Sequence, residues 1–209
     1  MTRCLDIHTH HPAPQPEAIV SVTAKEFLPL ESQHYSLGIH PWETGKEPSP
    51  EEWAEFKQMA ALPNIAAIGE CGIDKLRGGL LFRQMIIFKR QIDLSEELAK
   101  PLIIHDVKAH DIIVGLKKDL NPTQKWLVHG FRYKPTVGRM MTEAGIYLSF
   151  GEIFNEETLK SVPREMILAE TDESLLPIEE IIANLSRVYG EDLTETILFN
   201  TREFLSLHD

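Results

Sequence analysis

Cysteine is nearly absent from this chain of 209 residues: the two thiols, Cys4 and Cys71, stand far apart. Two cysteines cannot build a disulfide framework, and without close spacing they cannot form a zinc knuckle. Both are expected to be reduced thiols in the core. Long apolar runs are missing too, and stretches such as Met85 to Phe88 are far too short to span a bilayer. No basic region followed by an apolar stretch opens the sequence, so the chain is read as cytoplasmic, without a membrane partner. Positive charge is scarce: 21 Lys and Arg face 32 Asp and Glu, a net charge of −11. That balance argues against a surface that holds long nucleic acid by counterion release. A local anion site stays open, because bound cations invert the electrostatics of a pocket. Neither a Ser-His-Asp arrangement nor a glycine-rich phosphate cradle is present, so nucleophile and charge stabilisation must come from elsewhere.

What the chain does contain is material for one folded core, with 43% hydrophobic and 25% charged residues. Its length fits one domain over residues 1–209, at the low end for an eight-stranded α/β barrel. Short β-rich segments recur at Cys4 to His8, Ile19 to Thr23, Tyr35 to His40, Ile65 to Glu70, Leu102 to His105, Trp126 to His129, Ile146 to Phe150 and Met166 to Glu170. Their weak alternation suits strands buried on both faces of a parallel sheet. Helical patterns fall between most of them. Ser49-Pro50-Glu51-Glu52 supplies an N-cap, a proline at N1 and a glutamate at N3. A second helix spans about Leu80 to Leu98, with Leu81, Met85, Phe88 and Ile92 on one stripe. Others cover roughly 107–119, 136–144, 156–161, 177–189 and 192–207, the last two separated by Gly190. Only the proline-rich stretch from His10 to Glu17 links the first two strands, too short for a helical crossover. The expected fold is a compact (β/α)8 TIM barrel with a missing or shortened first helix.

Asp6-Ile7-His8-Thr9-His10 closes the first strand, and the two-residue period of a strand points His8 and His10 to one side, where two imidazoles can grip a cation. Glu70 ends the fourth segment, His105 the fifth and His129 the sixth, and Asp172 follows the eighth. In a barrel these ends converge on one rim, where sites on this fold are built. Asp6 reads either as a carboxylate that orients this rim or as a buried polar group.

The order and strand placement of these motifs resemble the TatD family of metal-dependent hydrolases among the amidohydrolase-like barrels. The resemblance runs through Asp6 to His10, Gly38-Ile39-His40-Pro41, Ile68-Gly69-Glu70-Cys71-Gly72-Ile73-Asp74, Phe88 to His105, His129-Gly130-Phe131 and Glu170-Thr171-Asp172. It implies one or two divalent ions (Zn, Mn or Mg), with His8, His10, Glu70 and Asp172 around one and Glu70, His105 and His129 around the other. It also implies phosphodiester hydrolysis, deoxyribonuclease activity being the family's usual assignment. Glu70 would then bridge the ions, and Asp172, touching metal and water together, would be the general base.

The chain also departs from that pattern. After His105 the family carries a small polar residue and then arginine, whereas Asp106-Val107-Lys108 stands here. Lys108 either substitutes as a point charge or starts the helix as an exposed lysine, and Asp106 is expected to add negative charge where a phosphate would lie. Past Asp172 the usual Ser-Pro-Tyr and long loop give way to Glu173-Ser174-Leu175-Leu176. Arg132 either restores an anion contact or lies on the surface. His40 either lines the pocket beside Trp42 or finishes a turn before Pro41. Three readings follow: a phosphodiesterase acting on DNA ends or short single strands, a metallohydrolase of a small phosphate ester, amide or lactone, and a non-catalytic barrel that keeps its metal.

Overall fold

The computed structural model describes residues 5–206. Cys4 and the expected end of the last helix at 207 lie outside the described residues. Strands β1 (Asp6–Thr9), β2 (Ala18–Val22), β3 (His34–Leu37), β4 (Ile65–Asp74), β5 (Leu102–Val107), β6 (Trp126–Val128), β7 (Ile146–Phe150) and β8 (Ile167–Ala169) pair in chain order, all parallel. β8 pairs with β1 and closes the barrel. Helices α1 (Pro50–Ala60), α2 (Leu81–Leu98), α3 (His110–Leu120), α4 (Pro135–Glu143) and α5 (Glu156–Ser161) follow β3 to β7 in turn. After β8 come α6 (Ile178–Tyr189) and α7 (Thr194–Leu205). No helix separates β1 from β2, as expected from the short proline-rich link, and none separates β2 from β3.

Local chemistry accounts for these elements. Ser49 caps α1 through its Oγ, which accepts from the Glu52 N–H at 3.2 Å, while the Glu52 carboxylate accepts from the Ser49 N–H at 2.8 Å. α2 departs from its expected stripe. Its buried face carries Gln84, Ile87, Phe88, Gln91 and Ile92, and Leu81 stays 40% exposed. The two glutamines go inward because their amides satisfy loop backbone. Gln84 accepts from the Asp74 N–H and donates to the carbonyls of Asp74, Arg77 and Gly79. Gln91 accepts from the Ile39 N–H and donates to its carbonyl.

Two strands run beyond their expected ends. β4 passes Glu70 to reach Asp74 and β5 passes His105 to reach Val107, because the ladder continues through Gly72–His105, Ile73–Asp106 and Asp74–Val107. α3 therefore starts at His110 rather than near 107, after a turn at Lys108 with φ of +55°. Strand alternation turns Asp106 away from the side that His105 faces. Its Oδ1 accepts from the Ala109 N–H at 2.8 Å, so it braces the start of α3 and does not add charge at a phosphate site.

Bulges occur where the chemistry needs them. Asp6 to Thr9 on β1 spans the same ladder interval as Ala18 to Val20 on β2, and Ile68 to Cys71 on β4 matches Leu102 to Ile104 on β5. The extra residue in each re-aims its strand, and these strands carry His8 and Glu70. The β4 bulge requires glycine. Gly69 has φ of +152°, and a Cβ there would stand 2.5 Å from the Ile103 carbonyl oxygen.

Ile7, Ile19, Ala67, Ile103, Leu127 and Leu168, from six strands, form an inner apolar cluster that Phe204 and Leu205 of α7 join. Ile103 and Leu127 lie two residues before His105 and His129 in the chain, so this layer underlies the polar mouth. A larger cluster packs the helices around the barrel and contains Cys71, a buried free thiol.

Candidate metal centre

Glu70 is the hub of the mouth. It is 6% exposed, and each of its carboxylate oxygens faces a separate group of imidazoles. Oε2 lies 3.2 Å from His10 Nε2 and 3.5 Å from His8 Nε2. Oε1 lies 2.6 Å from His105 Nδ1, 2.8 Å from His129 Nε2 and 3.1 Å from His40 Nε2. Asp172 closes the first group, its Oδ1 3.7 Å from His10 Nε2 and 4.0 Å from His8 Nε2. The structure thus brings His8, His10, Glu70, His105, His129 and Asp172 together at one end of the barrel, and adds His40.

His40 fills both places considered for it. Its Nδ1 accepts from the Trp42 N–H at 3.2 Å and caps the short 3-10 turn Pro41–Glu43, while its Nε2 faces Glu70. Lys108 and Arg132 are exposed and do not line the central cavity.

Electrostatics follow from burial and crowding. Burial, helped by neighbouring His129, holds His8 below the usual histidine range and so favours the neutral ring. Burial alone would raise Glu70, but the charge of His129 and hydrogen bonds from His10, His105 and His129 outweigh it and keep the carboxyl well below its ordinary range. His10 is raised by its hydrogen bond to Glu70. For His129 burial works downward, yet Glu70 and Glu170 lift it well above the usual value.

Three carboxylates stand behind this ring: Asp74 and Glu170, to which the sequence assigned no role, and Asp6, read from sequence as either an orienting carboxylate or a buried polar group. Asp74 Oδ2 stands 3.4 Å from His105 Nε2, and buried Glu170 places Oε1 3.6 Å from His129 Nδ1. Both belong to motifs already in view, Ile73-Asp74 and Glu170-Thr171-Asp172; the available signal was a second carboxylate close to each ligand in the chain. Asp6 accepts from the Thr171 N–H at 3.0 Å and the Thr171 hydroxyl at 2.6 Å, fastening β1 to the segment that carries Asp172. Carboxylates placed this way would orient the candidate ligand rings and raise their basicity.

The donor set fits a divalent cation. Both ring nitrogens of His8 are buried without a hydrogen-bond partner, a costly arrangement unless a Lewis acid takes the lone pair. Ligand atoms of His8, His10 and Asp172, of His8, Glu70 and His129, and of His40, Glu70 and His105 each cluster within 4.8 Å. Imidazole and carboxylate together suit divalent metals.

The sequence profile of the TatD related DNase family matches residues 17–204. The chain belongs to the TatD family. TatD relatives include an uncharacterized metal-dependent hydrolase of Buchnera aphidicola, 31% identical over 150 residues that make up 68% of this chain and 56% of the relative. The 3'-5' ssDNA/RNA exonuclease TatD of Klebsiella pneumoniae is 30% identical over 156 residues, 68% of this chain and 59% of that protein. Both matches therefore span under two thirds of the relative's length. Among solved structures, the TatD homologue YjjV of Escherichia coli superposes with a TM-score of 0.83 at 20% identity, covering 97% of this chain and 98% of that one. That likeness supports the same TIM-barrel fold.

Proposed function

We propose that this TatD protein is a divalent-metal-dependent hydrolase that cleaves phosphodiesters at nucleic-acid ends or in short single strands. The observation that carries the proposal is the division of Glu70, with Oε2 turned to His8 and His10 and Oε1 to His40, His105 and His129. A carboxylate placed this way suits a bridge between two ions. His8, His10, Glu70 and Asp172 would hold one ion and Glu70, His105 and His129 the other, with zinc, manganese or magnesium as candidates. Bound cations supply an acidified water and charge stabilisation on the phosphoryl oxygens. Asp172, partly exposed beside His10, takes the proton of the attacking water as general base. Glu70 keeps the imidazoles in register. Lys108 and Arg132 would meet only phosphates outside the cavity. The name of the Klebsiella pneumoniae relative supports a single-stranded nucleic-acid substrate.

One observation favours a small phosphate ester, amide or lactone instead: among the described residues the cavity lining holds no lysine or arginine, while Glu26, Glu43 and Glu173 line it. As to location, no helix among the described residues is long and apolar enough to cross a membrane. The scarcity of cysteine favours the cytoplasm.

The test is hydrolysis of a short end-labelled single strand with several divalent cations, beside Glu70→Gln as a contamination control. Shortening from one end by the wild type alone is the expected result. If the strand stays intact while an ester, amide or lactone is cleaved, the small-substrate reading replaces it. Metal binding with no turnover on any of these substrates leaves the non-catalytic barrel.

A further inference from the structure

We propose that Trp42 and Arg77 form a stacking platform for the terminal nucleobase of a single-stranded substrate, setting the side from which the strand enters. This rests on the phosphodiesterase reading above. Trp42 lines the central cavity yet is 51% exposed. Its ring is fixed rather than loose. Nε1 donates to Asp74 Oδ2 at 2.7 Å, and the ring meets His40 edge-on at 4.8 Å between centroids. The same Asp74 oxygen lies 3.4 Å from His105 Nε2, so one carboxylate positions both the platform and a candidate ligand. The Trp42 and His105 ring centroids are 6.0 Å apart, which puts a base stacked on the indole next to the candidate reaction centre.

Arg77 completes the platform. Its guanidinium lies over the Trp42 ring, 5.1 Å from the centroid, and among the described residues it makes no ion pair. The loop that carries it is held from below. Asp74 Oδ1 accepts from the Leu76 and Arg77 N–H groups, and Gln84 ties down the carbonyls of Asp74, Arg77 and Gly79. A pre-ordered indole with an arginine over one of its faces suits a single strand, the indole stacking a base on its exposed side and the arginine meeting the flanking phosphate.

Charge around the mouth points the same way. From Lys75 to Arg83, the loop and first turn of α2, the chain carries Lys75, Arg77 and Arg83 and no acidic residue, Lys75 being paired with Asp111 at 2.8 Å, within a chain of net charge −11. Of the lining glutamates, Glu26, before β3, and Glu173, after β8, stand at other parts of the cavity, while Glu43 follows Trp42 directly. A polyanion is repelled by Glu26 and Glu173 and meets cations over the loop between β4 and α2. The cavity, about 360 Å³, is at the small end of ligand clefts and suits one terminal residue rather than a duplex.

The experiment compares kcat/KM for two short strands that differ only in a terminal base against an abasic terminal residue. In the wild type the base is expected to raise kcat/KM roughly ten- to a hundred-fold, the range of one base stack. Trp42→Ala should bring that ratio close to one. Trp42→Phe keeps a ring but loses the bond to Asp74, and should keep most of the ratio. An unchanged ratio in Trp42→Ala, or an equal loss on both strands in both variants, overturns the platform and leaves Trp42 a prop for Asp74. Should the wild type cleave no diester, the phosphodiesterase reading fails separately, and binding decides the platform. Deoxyadenosine monophosphate should quench tryptophan fluorescence in the wild type but not in Trp42→Phe. Absent quenching, or quenching that persists through Trp53 or Trp126, overturns it.

Discussion

Glu170 Oε1 lies 3.6 Å from His129 Nδ1 and accepts the Gly130 N–H at 2.6 Å, while its Oε2 accepts from the Ser149 hydroxyl. One buried carboxylate thus sits behind a candidate ligand ring and fixes the turn directly after it. Glu170→Gln keeps the shape and removes the charge behind His129. Loss of such a partner typically weakens metal binding about 10–100-fold. Titration of the stripped protein with zinc or manganese should show that drop, and equal affinities would remove Glu170 from the site.

Metal removal should affect both activity and stability. With the His8 ring buried, making no hydrogen bond and facing Glu70 Oε2 only at 3.5 Å from its Nε2, a bound cation satisfies a group that otherwise raises the energy of the fold. Chelated protein is expected to be inactive and to melt lower, with both properties returning on addition of manganese or zinc. Ligand at 100 times its Kd adds about 2.7 kcal/mol, which scanning calorimetry resolves easily. Full turnover by verified metal-free protein contradicts the mechanism.

The sequence makes the barrel legible because its strands are short, apolar and regularly spaced, and because a proline-rich link leaves no room for a first helix. The six metal-competent residues at the mouth were readable for the same reason, as polar breaks near the ends of apolar runs. Other features depend on tertiary hydrogen bonds. Gln84 and Gln91 look like surface residues until the loop carbonyls they satisfy are in place. Glu70 reads as a strand end because glycines stand near it, yet Gly69 serves a bulge within a longer strand and Gly72 lets that strand approach the His105 carbonyl. Asp106 looks like part of the site from its place after His105, and only strand alternation turns it toward α3.

Asp172→Asn should separate chemistry from folding. The amide fits the same space but cannot take a proton, and loss of a general base typically costs about 10² to 10⁴ in rate. Asp172 is partly exposed and its carboxylate braces no core element, so the melting temperature of the metal-free variant should stay near that of the metal-free wild type. Near-normal kcat would take Asp172 out of the mechanism.

Asp6 gives the fold a distinctive pH dependence. Burial raises its carboxyl from 3.8 to about 7, with the hydrogen bonds from Thr171 offsetting only part of that effect. The folded state therefore keeps a proton that the unfolded chain releases at lower pH. The resulting contribution to stability is fully present below about pH 4 and is lost as pH rises through about 7. Asp6→Asn cannot titrate, and its amide can still accept the Thr171 N–H and donate to the Thr171 hydroxyl. Compared at pH 5 and pH 8.5 by urea unfolding, the variant should gain on the wild type at the higher pH, by on the order of 2 to 3 kcal/mol. All other groups are the same in both proteins and largely cancel in the difference. A difference that is flat across this range would mean that Asp6 ionises in the folded state as readily as in the unfolded chain.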